Sequence, residues 1–259
     1  MLTRIYSVVA CSVLAGAAAF ASPDSRAADV YDAAVQHSGR STDDLKRDES
    51  EHPAEVLRLA GIKPGMKVAD VMAARGYYSE LLSYVVGPKG HVLLLNNAAY
   101  DHWSGGGWEK RLADGRLPNV EHRTVDLEHL DLPDHSLDAL LLVKVYHDFY
   151  WIDTDPKAIW PKMDAGVVLD QLTRVLKPGG IVLVEDHSAK PGTGSTVASS
   201  LHRIDEDYTV HDFQKRGFRL VGRSDLLRRP DDKRELVSYT PPGLGHTDRF
   251  LLVFRKNRG

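Results

Sequence analysis

From Lys67 onward the chain alternates short apolar runs with amphipathic stretches, and that alternation restricts it to a layered α/β architecture. Strands are predicted at Lys67 to Met72, His91 to Leu95, Val120 to Val125, Leu137 to Val145, Ile181 to Glu185, Phe218 to Arg223 and Phe250 to Phe254. Between them, Tyr77 to Val86, Trp108 to Ala113, Val167 to Leu176 and His211 to Arg216 carry helical spacing. Leu137 to Val145 is nearly all apolar, as a central strand covered on both faces requires. Upstream, Asp29 to Gln36, Thr42 to Glu49 and Pro53 to Ala60 read as helices, the last stopped by Gly61. Lys177-Pro178-Gly179-Gly180 reads as a turn, and Ala189 to Ser200 as a loop.

The length of 259 residues suits one well-filled globular domain, and the formal charge of -3 gives no electrostatic reason to expect nucleic acid. The N-terminus differs in kind from the rest. Arg4 precedes an uncharged, alanine-rich run from Ile5 to Phe20, and Ala19-Phe20-Ala21 has the small-x-small form of a cleavage site. Residues 1–21 are therefore expected to be a secretory signal peptide, residues 22–52 a polar helical extension, and residues 53–259 the main domain. At about 16 residues the apolar run is short for a membrane span, which needs roughly 20; a retained anchor is the other reading. Cleavage would export the protein to the periplasm or beyond, with no stable membrane insertion. It would also remove Cys11, the single cysteine, and with it disulfides, thiolate metal sites and a cysteine nucleophile.

In open α/β sheets ligands bind beyond the carboxyl ends of the strands, where strand order reverses. The residues there carry a resemblance. Val68-Ala69-Asp70-Val71-Met72-Ala73-Ala74-Arg75-Gly76 resembles the first motif of class I S-adenosylmethionine-dependent methyltransferases, and Arg174 to Gly180 resembles the helix-turn before their fifth strand. Within that family the chain resembles a bacterial group of exported predicted methyltransferases. Val86 to Gly90, Asn96-Asn97, Tyr146-His147-Asp148, Leu201 to Glu206 and Thr247 to Phe250 carry this narrower likeness. The resemblance implies a Rossmann-like, doubly wound, mostly parallel seven-stranded sheet with helices on both faces. It also implies S-adenosyl-L-methionine as cofactor and a small-molecule methyl acceptor.

Carried onto this sequence, the resemblance implies cofactor contacts at Asp70, Ala74, Gly76, Asn96, Asn97, Asp126, Leu127 and Lys144. Met72 and Ala74 stand where the motif has its first two glycines, and Asn96 or Asn97 stands where an acid would hold the ribose hydroxyls. A neutral hydrogen bond is worth about 1 kcal/mol against about 1.5–3 for a charged one, so one such exchange weakens binding without abolishing it. Each residue has a plainer reading too: Asp70 as a helix cap, Gly76 as a turn glycine, Asp126 as a turn cap before Leu132-Pro133.

His147, Tyr146 and His187 are the catalytic candidates, because they follow the strands beside the expected methyl group. Methyl transfer mainly requires alignment, and a hydroxyl or amine acceptor also needs a base that titrates near neutrality. A purely structural histidine is the alternative for His147. His202-Arg203-Ile204-Asp205-Glu206 reads either as a lid over the acceptor or as a salt-bridged helix. No HExxH or cysteine/histidine spacing occurs, so no metal is expected. The rival to a methyltransferase is a non-catalytic binding module that keeps the fold with a degraded motif. Oligomeric state is not legible.

Overall fold

The computed structural model describes residues 25–155 and 157–258; the expected signal peptide lies outside them. Three helices, α1 (Ser25–Val35), α2 (Thr42–Glu51) and α3 (Pro53–Ala60), precede the sheet. Then follow β1 (Lys67–Val71), α4 (Tyr77–Val86), β2 (His91–Asn96), α5 (Ala98–Ser104), α6 (Gly107–Leu112), β3 (Val120–Thr124) and β4 (Leu137–Val143). A 3-10 turn at His147–Tyr150 leads to α7 (Ala165–Val175), β5 (Leu176–His187), α8 (Ala198–Leu201), α9 (Glu206–Lys215), β6 (Phe218–Ser224) and β7 (Arg249–Lys256).

The seven strands form one sheet in the order β3-β2-β1-β4-β5-β7-β6, parallel except for β7, which runs antiparallel between β5 and β6. Because side chains alternate across a pleat, successive residues of each strand feed two cores. Ala69, Val71, Leu140, Leu142, Val182 and Val184 pack on one face with α7 and with Phe213 of α9. Val68, Ala139, Leu141, Ile181 and Leu183 pack on the other with α1, α3 and α4. Strand order reverses between β1 and β4, which puts the crevice above Asp70 and Lys144.

Three boundaries and one helix depart from the sequence expectation for a visible local reason. Strand β4 ends at Val143 rather than Val145 because Lys144 takes a left-handed φ of 58° and turns the chain out of the sheet. Strand β5 begins at Leu176, which pairs with Leu137 ahead of the Pro178-Gly179-Gly180 turn. Helix α9 starts five residues earlier than His211, since the Asp205 carboxylate accepts from the backbone N–H groups of Asp207 and Tyr208. Helix α5 was not anticipated; Asn97 caps it.

The polar extension lies across the rim. Glu51 of α2 accepts from Lys144 Nζ at 2.7 Å and from Arg249 at 2.5 Å, and Arg249 also reaches Glu185 at 2.6 Å. Asp48 accepts from the Tyr77 hydroxyl at 2.6 Å, and Asp44 from Arg111 at 2.7 Å. Among the described residues no helix is long and apolar enough to cross a membrane.

Candidate active site

Two hollows open above the carboxyl ends of β1 and β4. The first, of about 430 Å³, is lined by Asp70, the loop Met72 to Arg75, and Val143 to Val145, and is closed outside by Asp44, Arg47 and Arg111. Its loop turns through left-handed angles at Met72 (φ 56°), Ala74 (φ 50°) and Gly76 (φ 75°). Non-glycine residues rarely hold such angles, at a cost of order 1–3 kcal/mol each. Asn96 explains how this loop holds them. Its side chain accepts from Ala74 N at 2.8 Å, donates to Ala74 O at 3.0 Å and donates to Asp101 at 2.8 Å.

That role corrects the expected ribose contact. Asn96 is fully buried behind the loop with its amide engaged on both sides, so it presents nothing to the hollow. Asn97 accepts from Tyr100 N at 2.9 Å and lines neither hollow; its buried Nδ2 has no hydrogen-bond partner among the described residues. Asp126 keeps its plainer reading: its side chain is 62% exposed, accepts from Glu128 N, pairs with His129 and lines neither hollow. Leu127 is buried in the core. Gly76 serves as the N-terminal turn of α4, where a Cβ would lie 2.7 Å from Leu94, and it too is not among the lining residues.

Asp70 and Ala74 do face the first hollow. Asp70 is buried and accepts from the Ser79 hydroxyl at 2.7 Å, with no ion-pair partner among the described residues. Burial pushes its carboxyl up to about 6, against the pull of the Ser79 bonds. Arg75 does not plug the space. Its guanidinium bonds the Ser104 carbonyl at 3.0 Å, and its stem lies where Gly107 has no side chain.

The second hollow, of about 420 Å³, adjoins the first and shares Tyr100, Trp103 and Lys144 with it. Its remaining walls include Trp151, Trp160, Tyr239, His147, Asp148, His187 and His202. Trp103 and Trp160 stack with centroids 5.5 Å apart. His147 is clasped by Asp186, which accepts from its backbone N at 2.9 Å and lies 2.7 Å from its Nδ1. Asp148 holds the Tyr100 hydroxyl at 2.6 Å.

Burial would lower the His147 pKa, but Asp148 and Asp186 push it up to about 10. It therefore keeps its proton at neutral pH, contrary to the expected titration near neutrality. His187 behaves oppositely: burial and the positive charges nearby hold it well below the ordinary value, and its Nδ1 lies 2.7 Å from the Thr247 hydroxyl. Tyr146 is fully buried, donates to Asp212 at 2.5 Å and lines neither hollow, so its part is structural.

The segment after the loop divides between its two readings. His202 faces the hollow, whereas Arg203 is buried against Asp232 at 2.7 Å and Glu206 pairs with Arg228. Sequence reasoning missed Tyr100 and the tryptophans. Three of the chain's four tryptophans meet here, a composition signal without a spacing that would have flagged it.

A methyltransferase domain model matches residues 107–184. The structure is similar to a SAM dependent methyltransferase from Aquifex aeolicus, with a TM-score of 0.58 and 20% identity over 81% of this chain and 92% of that one. This is a methyltransferase fold. A [4+2]-cyclase, SpnF, is superposed with a TM-score of 0.57 at 16% identity, over 80% of this chain and 82% of that one, so fold alone does not decide reaction type. Among curated sequences, the ubiquinone/menaquinone biosynthesis C-methyltransferase UbiE of Vibrio cholerae is 27% identical over 66% of this chain and 58% of its own length. That of Ectopseudomonas mendocina is 31% identical over 52% and 47%. The chain thus spans about half the length of these relatives.

Proposed function

We propose that the protein is an S-adenosylmethionine-dependent methyltransferase whose acceptor is a small, planar, largely apolar molecule. One observation carries this reading: a loop-and-carboxylate hollow adjoins an aromatic one, with Tyr100, Trp103 and Lys144 lining both. Both volumes fall within the roughly 300–1,000 Å³ of small-molecule sites.

The first hollow fits the cofactor's amino-acid end. Asp70 is a buried carboxylate without a cation partner among the described residues, which an ammonium group would supply. Met72 and Ala74 hold the left-handed turns that glycines would otherwise give, so the backbone keeps its close approach. The ribose end fits less well, because Asn96 is engaged elsewhere. When bound, the cofactor supplies an electrophilic methyl group. The chain's own residues orient and enclose: Tyr100 and Trp103 border both partners, Trp151 and Trp160 exclude water from the acceptor, and His187 offers a neutral imidazole as proton acceptor.

The UbiE relatives are named for ring-bearing quinone biosynthesis, which agrees in kind with an aromatic acceptor hollow. Export, expected from residues 1–21, belongs to the same proposal and is tested by N-terminal mass spectrometry of protein recovered from the periplasm. Tritiated methyl transfer from S-adenosylmethionine to a panel of phenols, quinols and aromatic amines tests the activity. Label in an organic product supports it. Binding of these aromatics without transfer supports instead the non-catalytic module, which the buried Asn96 and the missing glycines favour.

A further inference from the structure

We propose that His147 Nε2, Asp148 Oδ1 and His202 Nδ1 form a binding site for a divalent first-row transition-metal ion, with Zn²⁺ the natural occupant by chemistry. The inference goes beyond methyl transfer and does not depend on cofactor binding. The three atoms converge from two segments: the 3-10 turn after β4 and the left-handed residue that ends α8.

The triangle has the right size. His147 Nε2 lies 3.1 Å from His202 Nδ1 and 3.2 Å from Asp148 Oδ1, and His202 Nδ1 lies 3.5 Å from Asp148 Oδ1. Ligands about 2.0–2.1 Å from a tetrahedral Zn²⁺ stand about 3.3–3.4 Å apart. The rings agree as well. Two imidazoles aimed at one tetrahedral ion would have centroids about 5.2 Å apart, and those of His147 and His202 are 5.1 Å apart at 72°.

The surroundings complete the site. Asp186 lies 2.7 Å from His147 Nδ1, the carboxylate–histidine arrangement that fixes the ring and directs Nε2 at a metal. Tyr100 holds the second oxygen of Asp148, which leaves Oδ1 to coordinate. Among the described residues neither Asp148 nor Asp186 pairs with a lysine or arginine; their ion-pair partners are His147 and His202. A dication would balance these two buried carboxylates with both imidazoles neutral. Two nitrogens and one oxygen suit Zn²⁺ or Fe²⁺ and not Mg²⁺ or Ca²⁺, which want oxygen cages. All three ligands line the aromatic hollow, so the fourth position opens toward it, as in sites that keep a place for water or substrate oxygen.

The test uses tag-free mature protein stripped with chelator and titrated with Co²⁺, read by its visible d–d absorption, with Zn²⁺ displacement followed by calorimetry. One Co²⁺ per chain is expected, with the intense band of a four-coordinate site. His202→Ala and the isosteric Asp148→Asn should each weaken binding at least a hundredfold, and Asp186→Asn by about 10–100-fold. His129→Ala, an exposed control, should change nothing. Circular dichroism and melting verify that each variant is folded, and Asp148→Asn keeps the test decisive should His202→Ala fail to fold. Absence of the band, or Co²⁺ binding indifferent to Asp148→Asn, overturns the proposal.

Discussion

The two sides of the sheet's upper rim treat buried polar groups in opposite ways. Beside β1 and β2 most of them satisfy one another: Asn96 bonds Ala74 and Asp101, Asp101 bonds His122 at 2.8 Å and also Thr124, and Asn97 caps α5, with its buried Nδ2 left without a hydrogen-bond partner among the described residues. Asp70 on that side keeps a buried carboxylate toward the hollow with no ion-pair partner among the described residues. Beside β4 and β5, His147, Asp148, His187 and His202 all line an aromatic hollow. Polar groups that are fully satisfied rigidify a fold, whereas those left facing a cavity retain the capacity to bind. The first side has been rebuilt to stabilise a loop without its glycines; the second is where chemical capacity is concentrated.

The sharpest way to break this contrast is Asn96→Asp. If Asn96 were a ribose ligand, an acid there would tighten cofactor binding. Because it straps the loop, the change should leave Ala74 O unpaired and set a carboxylate against Asp101, costing about 3 kcal/mol of stability by chemical denaturation. Tighter S-adenosylhomocysteine binding with unchanged stability would merge the two sides again.

Asp70→Asn should come next, weakening S-adenosylhomocysteine by about tenfold or more, since a hydrogen bond to a charged group contributes about 1.5–3 kcal/mol. The pH dependence follows from the same carboxyl. Its folded pKa of about 6 lies above the ordinary value, so its protonated form favours the folded, ligand-free state. That contribution is present below the ordinary carboxylate pKa and lost as pH rises through about 6. Cofactor affinity moves the other way, rising as the carboxylate ionises and levelling above that pH. Calorimetry across the range should show both trends in the native chain and neither in the variant.

Ala74→Gly should stabilise by about 0.5–1 kcal/mol. Relief of strain at φ 50° exceeds the extra freedom of an unfolded glycine, and melting measures the difference. Asp126→Ala should do least, changing stability by no more than about 0.5 kcal/mol and leaving cofactor affinity unaltered.

Periodicity made the sheet legible, because strands buried on both faces must be continuously apolar and helices between them amphipathic. Local conformation was harder to read. Nothing in Leu142-Val143-Lys144-Val145 announces that Lys144 turns left-handed, whereas the start of α9 carries a legible signal, the capping Asp205 followed by the acids Glu206 and Asp207, that apolar periodicity alone does not use. At the site, position along a strand located Asp70, His147 and His187, since strand ends fall on the rim by topology. It failed for Asn96 and Asp126, where orientation rather than position decides; one is turned behind the loop and the other out to solvent. The His147–Asp148–His202 convergence spans 55 residues between its histidines and has no spacing signature.

The most direct measurement is a calorimetric titration of the mature protein with S-adenosylhomocysteine at neutral pH, with Asp70→Asn alongside. Saturable binding of one ligand per chain, weakened at least several-fold in the variant, is the expected result. No heat at millimolar ligand, or equal affinity in the two proteins, would show that the hollow above β1 does not hold the cofactor's amino-acid end.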